Sequence, residues 1–501
     1  MTSTLKFNRE PRAPANLLTR EHQPGDQRRR LFLHRRDGVR VGVERDRDGG
    51  VAEALRGRFH ACTVARREML AWSRRSGDEL WLTSLLRPET RSKVRSMTVQ
   101  QIVDERLCLQ CGTCAGTCPR EAIEMRWSLA DGWLPAVNAE RCDDCDACLA
   151  VCPARGLDYS PQAWWREANE GAPAPDYLGP WRGLWFGWAA DETTRYQGAS
   201  GGLASAILAG ALEEDLIDGA VVADLSAANA LAVEPRLARS AAEIAACRGS
   251  KYNMVAMNTA LRALLDEPGR YALVGLPCHL QGLRLAQRRY PRLRERVVFS
   301  LGIFCGWSAE PRATALAARR AGLEPADLSQ VRYRGPGWPG GLRLETRSGE
   351  VRERPYPDYY DDDPAMRALT PPRCRLCPDG MAELADLSVG DAWLARFAGS
   401  DGVSDLIART PAGSRLIERL GERLTLIPAT APEMLFSQRE TYRLKRTICR
   451  GRLWARRLRG RPLPHYPGLP LQAGPTEKLA GLRDVAGEAL QRRLVAARFR
   501  L

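Results

Sequence analysis

The stretch "LCLQCGTCAGTCPREAIEM", residues 107–125, is followed at residues 141–159 by a near copy, "RCDDCDACLAVCPARGLDY". Both read C-x2-C-x2-C-x3-C-P: Cys108, Cys111, Cys114 and Cys118 before Pro119, then Cys142, Cys145, Cys148 and Cys152 before Pro153. Such a run wraps three thiolates round one cubane at short spacing and lends its fourth cysteine to the other cluster. On that crossing rule Cys108, Cys111, Cys114 and Cys152 hold one [4Fe-4S] cluster. Cys142, Cys145, Cys148 and Cys118 hold the second. The proline turns the chain away behind the fourth ligand. Zinc is the competing reading, but it favours paired C-x2-C knuckles split by a longer loop, which two triple-spaced combs do not supply.

The rest of the chain agrees with a reduced, metal-bearing protein. At 501 residues it is too long for one core, and about two to four domains are expected. A hydrophobic content of 44% is that of a globular chain. Fifteen cysteines behind an N-terminus reading "MTSTLKFNREPRAPANLL", with no apolar leader, point to metal ligation rather than disulfides. No apolar run reaches spanning length, so the expected location is the cytoplasm, free or peripheral to a membrane. The net charge of +15 is concentrated in "DQRRRLFLHRR" and "LKRTICRGRLWARRLRGR". No nucleic-acid motif accompanies it, so the basic ends read as solvated faces that steer acidic partners.

Residues 1–97 read as an extension with a small α/β unit: "LFLHRRDGVRVGVERD" alternates around a turn and "VAEALRGRFHACTVARREMLAW" has helical spacing. Residues 98–162 form the two-cluster ferredoxin module, and 163–182, with "EANEGAPAPDYLGP", a linker. From 183 the helical "ASAILAGALEEDLIDG" alternates with the strands "AVVADL", "YALVGL" and "RVVFSLGIF". That alternation argues an α/β layer with parallel strands. "LRLETRSGEVRERPY" and "LADLSVGDAW" add short strands to a mixed sheet, giving a mixed α/β (α+β) class, and the tail at 441–501 is basic and helical.

Seven cysteines remain: Cys62, Cys247, Cys278, Cys305, Cys374, Cys377 and Cys449. Cys278 in "YALVGLPCHLQGLR" and Cys305 in "VVFSLGIFCGWS" each follow an apolar strand, and ligands collect beyond the carboxyl ends of parallel strands. Cys374 and Cys377 in "PPRCRLCPDG" are placed to complete four ligands. From spacing alone a third cluster, a zinc knuckle and plain buried thiols all stay open.

The stretches "RYQGASGGLASA", "RGSKYN", "VGLPCHLQGLR", "LGIFCG", "YRGPGWPGG", "PPRCRLCPDGMAELADLSVGDAW" and "LIARTPAG" occur in this order. Together, over residues 183–465, they resemble the family of coenzyme F420 hydrogenase/dehydrogenase β-subunits, divided here at 183–270 and 271–440. With the ferredoxin module the layout is similar to that of F420H2 dehydrogenase input subunits. The resemblance implies a flavin-binding α/β domain with FAD and a third [4Fe-4S] cluster held by Cys278, Cys305, Cys374 and Cys377. It leaves Cys62, Cys247 and Cys449 as structural thiols. The second comb departs from the usual pattern, with Asp146 where glycine follows the second cysteine.

The glycine-rich "GASGG" before a helix, with Gly198, Ser200, Gly201 and Gly202, is a candidate phosphate cradle; without the resemblance such a helix start is more often packing or capping. The G-x-G-x-x-G match in "GPGWPG" is no dinucleotide fingerprint, because Pro336 and Pro339 prevent a helix and a strand follows. It suits a crevice loop with Trp338 as a stacking wall. Lysine occurs only at positions 6, 93, 251, 445 and 478. A lysine kept in an arginine-rich chain singles out Lys251, against coincidence in a solvated loop; the resemblance implies a catalytic role and contact with flavin or an acidic substrate, joined by Arg248, Ser250 and Tyr252. His279 is a candidate proton carrier, or else a helix cap.

The expected activity is that of an F420-type iron-sulfur flavin oxidoreductase, with coenzyme F420 or another hydride carrier as substrate and a ferredoxin or a larger complex as redox partner. Two readings stand beside it: a ferredoxin-fed reductase of a small unsaturated molecule of the tetrapyrrole kind, and a non-catalytic electron-wiring subunit. A nucleic-acid-binding iron-sulfur protein rests on charge alone.

Overall fold

A computed structural model describes residues 31–32, 42–43, 98–160, 177–361 and 368–499. The chain divides into two units, Met1–Ser92 and Lys93–Leu501. In the first, strands β1 (Leu31–Phe32) and β2 (Gly42–Val43) pair antiparallel. The helix expected after residue 51, Cys62 and linker residues 163–176 lie outside the described residues.

In the second unit the ferredoxin module opens with helix Val99–Asp104, whose first turn is capped by the Thr98 side chain accepting from the Gln100 amide. Strands β3 (Ile123–Ser128) and β4 (Gly132–Val137) form a hairpin. Its tip is clamped by Gln110, whose side chain donates to Asp131 O and accepts from Trp133 N at 2.6 and 2.9 Å. The two combs share one backbone path. Gln110 and Asp144 are left-handed with φ of 58° and 56°, and so are Gly112 and Asp146 with φ of 80° and 56°. Each comb then makes one helical turn, Thr113–Gly116 and Ala147–Ala150. Aspartate tolerates this region better than most side chains, which is how Asp146 replaces the usual glycine.

The α/β domain is built from β5 (Gly183–Ala189), β6 (Gly219–Leu225), β7 (Val233–Ala238), β8 (Tyr271–Gly275) and β9 (Val297–Ile303). Further along come β10 (Leu328–Arg332), β11 (Gly341–Thr346), β12 (Val351–Pro355), β13 (Leu387–Asp391), β14 (Ser404–Ala408) and β15 (Leu424–Pro428). Eight of these form one mixed sheet in the order β15-β5-β14-β13-β9-β8-β6-β7. Its centre, β13-β9-β8-β6, is parallel, and the flanking pairs are antiparallel. The central strands are continuous apolar runs, as strands covered on both faces must be. Val221 and Leu273 enter the core on one face, with Leu280 and Leu283 of helix Pro277–Arg289. Val222 and Ala272 enter the core on the other, with Leu203 and Ile207 of helix Leu203–Glu213.

β10, β11 and β12 do not join the large sheet as expected but make a three-stranded antiparallel sheet of their own. The cause is their alternation. Leu342 and Leu344 are buried with Tyr333 and Tyr356, while β12 is mostly exposed, so a single face needs covering. In the tail, helices Cys449–Leu458 and Pro475–Phe499 pack together where Gly451 and Gly481 bring their backbones close. Among the described residues no helix is long and apolar enough to cross a membrane.

The first comb is pressed onto the α/β domain at the helix that begins beside Cys278. A Cβ on Gly116 would stand 2.0 Å from Asn258 O, and one on Gly282 would stand 2.1 Å from Thr113 Oγ1. Asn258 ties the contact: its amide donates to Cys111 O, and its Nδ2 donates to Thr113 Oγ1 and His279 O, at 2.8, 2.8 and 2.7 Å.

Candidate metal centres and redox crevice

The fold gathers twelve cysteines into three groups of four. An open cavity is lined by Cys118, Cys142, Cys145 and Cys148, together with Arg120, Asp143, Asp144 and Asp146. A second is lined by Cys108, Cys111, Cys114 and Cys152. The fourth cysteine of each comb thus faces the other comb's trio, as the crossing rule requires. Among the described residues no three of these side chains close on a single metal ion; the sulfurs are spread round a volume.

Donors already point at the sulfurs. Gln110 N–H donates to Cys108 Sγ at 3.4 Å and Ala122 N–H to Cys118 Sγ at 3.3 Å, and Thr113 Oγ1 lies 3.2 Å from Cys111 Sγ. Such hydrogen bonds hold thiolate ligands and tune cluster potential. Burial pushes the free Cys108 thiol up to about 12, and it raises Cys111, Cys114 and Cys152 as well. A cluster held here would take these four sulfurs as thiolates, with release of their protons.

Cys278, Cys305, Cys374 and Cys377 form the third group. Cys278 lies three residues past β8 and Cys305 two past β9, on the same rim of the parallel strands. The loop with Cys374 and Cys377 is held to that rim by Cys305 N–H donating to Gly380 O at 2.8 Å. Burial raises the Cys278 thiol first, and the neighbouring Cys305, Cys111, Cys374 and Cys377 raise it further. Cys111 is among these neighbours, so the third group adjoins the inner tetrad. In turn Cys148 of the outer group acts on Cys114 and Cys152 of the inner one.

Two cations accompany the third group. Arg373 is buried and donates to Ala154 O and Tyr466 Oη. Lys445, 3% exposed, lies on the turn Arg443–Ile448 that packs against Cys374–Leu376. Sequence reasoning missed Lys445, although the scarcity that drew attention to Lys251 applies to it equally. Cys449 is buried beside Cys377 and Lys445, and burial lifts its thiol to about 12.

The candidate flavin residues gather at the same rim. Ser200 Oγ donates to Val403 O at 2.9 Å and Gly201 N–H to Ser404 Oγ at 3.0 Å, pinning the glycine loop to the start of β14. A Cβ on Gly201 would meet Gly187 O at 2.5 Å, and Gly202 has φ of 74°, so these glycines serve close packing. Gly198 O is approached by Gly335, and Gly337 N–H donates to Tyr196 O at 2.7 Å, interlocking this loop with "GPGWPG". That second loop opens no helix and leads into β11.

Arg334, 2% exposed, joins both loops. It donates to Ala199 O and Pro339 O at 2.7 and 2.6 Å and pairs with Asp391, at the end of β13, at 2.8 Å. Trp338 Nε1 donates to Asp391 at 2.8 Å, and its ring lies 5.0 Å from that of Trp393. Tyr252 reaches the group through Arg334 Nη1, at 3.5 Å. Neither Arg334 nor Asp391 stood out in the sequence, because the pair spans 57 residues.

Lys251 donates through Nζ to Cys247 O, and to Arg248 O at 3.2 Å, capping helix Ala241–Ala246, whose carbonyl end favours a cation. Arg248 likewise donates to Ala245 O at 2.8 Å. Ser250 is half-buried beside Gly249, around whose Cβ position there is no atom within 4 Å. His279 needs correcting. Its Nδ1 accepts from Leu276 N–H at 3.0 Å, its Nε2 meets Val255 O at 3.1 Å, and burial lowers it to about 4. Nε2 thus keeps its proton for the Val255 carbonyl, and with both ring nitrogens committed to backbone His279 caps helix Pro277–Arg289 rather than moving a proton.

Two crossed cysteine tetrads packed on an α/β domain, with four further cysteines grouped at the carboxyl ends of its parallel strands, mark an iron-sulfur protein. Residues 107–156 match the 4Fe-4S dicluster domain. Residues 184–262 and 269–431 match the N-terminal and C-terminal parts of the coenzyme F420 hydrogenase/dehydrogenase beta subunit, and the chain belongs to that family. Among its relatives is a subunit of the F(420)H(2) dehydrogenase of Methanosarcina mazei, 23% identical over 67% of this chain and 88% of the relative. Coenzyme F420 hydrogenase subunit beta of Methanothermobacter thermautotrophicus is 26% identical over 49% of this chain and 83% of its own. A chain of the F420-reducing [NiFe] hydrogenase complex from Methanosarcina barkeri aligns with TM-score 0.44 and 21% identity, over 55% of this chain and 92% of that one.

Proposed function

We propose that the chain is an iron-sulfur flavoprotein oxidoreductase that passes electrons between [4Fe-4S] clusters and FAD, with coenzyme F420 or a similar hydride carrier as its two-electron substrate. The observation that carries this reading is the succession of three cysteine groups through one compact unit, from the Asp-rimmed outer group to the rim at the carboxyl ends of the parallel strands.

Cys118, Cys142, Cys145 and Cys148 would hold the outer cluster, and Cys108, Cys111, Cys114 and Cys152 the inner one. Cys278, Cys305, Cys374 and Cys377 would hold the third. A flavin, when bound, supplies the exchange between single electrons and hydride. The rim suits one in two respects: Trp338 and Trp393 supply aromatic rings there, and the backbone at Gly249 borders open space. Gly198, Ser200, Gly201, Gly202, Arg248, Ser250 and Tyr252 are its candidate neighbours. Lys251 spends two of its three donors on its own helix and has a third for a phosphate or a substrate carboxylate.

The relatives' designation as subunits favours a second reading, that of an electron-wiring component without turnover of its own. Anaerobic isolation with iron, sulfide and flavin quantified, then assay with F420H2, NAD(P)H and reduced ferredoxin, separates the two. The proposal expects equimolar flavin and dye-linked oxidation of F420H2 by the isolated chain. Clusters and flavin without turnover favour the wiring role, and colourless protein refutes both.

A further inference from the structure

Among the described residues Lys445 is the one buried ammonium beside the third tetrad. Its stem lies 3.0 Å from the place a Cβ on Gly380 would take, in the loop that follows Cys377, and its turn packs against the turn carrying Cys374. The thiols of Cys377, Cys305 and Cys374 all act on it. Among the described residues it has no carboxylate within ion-pair distance. Two acids of the segment that follows Cys377 are engaged elsewhere: Asp379 accepts from Tyr159 Oη at 3.0 Å, and Glu383 pairs with Arg446 at 2.9 Å. An isolated charge so deeply buried is costly unless something negative faces it. Four thiolates around an iron-sulfur core carry net negative charge, and each electron taken up adds one more, with no bond or proton changing place. The outer tetrad has more acidic surroundings: Asp143, Asp144 and Asp146 line its cavity against one cation, Arg120, which pairs with Asp143 at 2.7 Å.

We propose that Lys445 is a fixed counter-charge for the third tetrad, holding a cluster bound there at higher midpoint potential than the one in the outer tetrad, so that electrons entering outside are drawn inward. A cation beside a centre stabilises the form with the extra electron, and net charge is among the determinants of cluster potential. Lys445 is thus a positioning residue acting through the cluster. The inference rests on the reading of a third cluster given above.

The test is an EPR-monitored redox titration of the full chain, isolated anaerobically, as wild type, Lys445→Gln and Lys445→Arg, with iron counted in each and Cys278→Ser used to assign the third signal. In Lys445→Gln the third midpoint should fall by at least a tenfold change in the oxidised-to-reduced ratio, which is 59 mV for one electron. The outer midpoint should stay, and Lys445→Arg should keep the third near wild type. An unmoved third midpoint, or an equal shift in both, overturns the proposal. Should Lys445→Gln lose the cluster, its retention in Lys445→Arg supports a charge role, and its loss in both shows packing alone and overturns it. Wild type with about eight irons in place of about twelve would instead sink the third-cluster reading itself.

Discussion

The first comb and the second share their spacing and their left-handed positions, at 110 and 144 and at 112 and 146, but not what lies against them. Gly116 of the first is pressed to the backbone at Asn258, whereas its counterpart in the second, Ala150, faces solvent. Gly112 abuts Ala256 O, whereas its counterpart, Asp146, is exposed. One motif, read locally, makes two equivalent sites. Docking on the α/β domain makes one a buried inner station and leaves the other an outer port with Cys145 exposed.

The largest effect expected from breaking this difference is at Gly116. Gly116→Ala forces a Cβ to within 2.0 Å of a backbone oxygen and should cost about 1–3 kcal/mol or more in denaturant unfolding; the same side chain already occupies position 150 without strain. An unchanged unfolding midpoint would show that the module is not seated there. Next comes an exchange at the left-handed positions. Asp146→Gly should lie within about 1 kcal/mol of wild type or stabilise slightly, while Gly112→Asp, lacking room beside Ala256, should be clearly destabilising. Equal effects would remove the asymmetry.

Iron loss gives a gentler contrast. Under mild chelator or air exposure the outer site should empty several-fold faster, so that Cys145 becomes open to alkylation while Cys111 and Cys114 stay protected, as mass mapping would reveal.

The smallest effect lies at Glu383, beyond the inner comb, where burial pushes the carboxyl up to about 7, against the pull of Arg446. The folded state then holds a proton that the unfolded state releases near 4.5. Stability from this group is present below that pH and is lost as pH rises towards 7. Glu383→Gln should flatten the fall between those values, as denaturant unfolding repeated across that pH range would show.

What was legible in the sequence follows the distance over which each feature is encoded. The combs announce themselves because ligand spacing is local, and the parallel core does so because strands buried on both faces are unbroken apolar runs. Cys278 and Cys305 stood out through their place after such strands, but spacing alone left their grouping with Cys374 and Cys377 open; that pairing came from the resemblance. Three features were hidden. β10–β12 looked like further members of the mixed sheet until their one-sided burial set them apart. The Arg334–Asp391 pair has no local signature. The rarity of lysine drew attention to Lys251, which caps a helix, as much as it could have to Lys445, because composition says that a residue is unusual and only packing says where it sits.

The central claim is that the third tetrad is a metal site assembled from distant segments. Iron and sulfide per chain, measured on the full chain isolated without oxygen as wild type and as Cys278→Ser, test it most directly. About twelve irons falling to about eight, with the two ferredoxin signals intact, is the expected result; about eight in both proteins would contradict it.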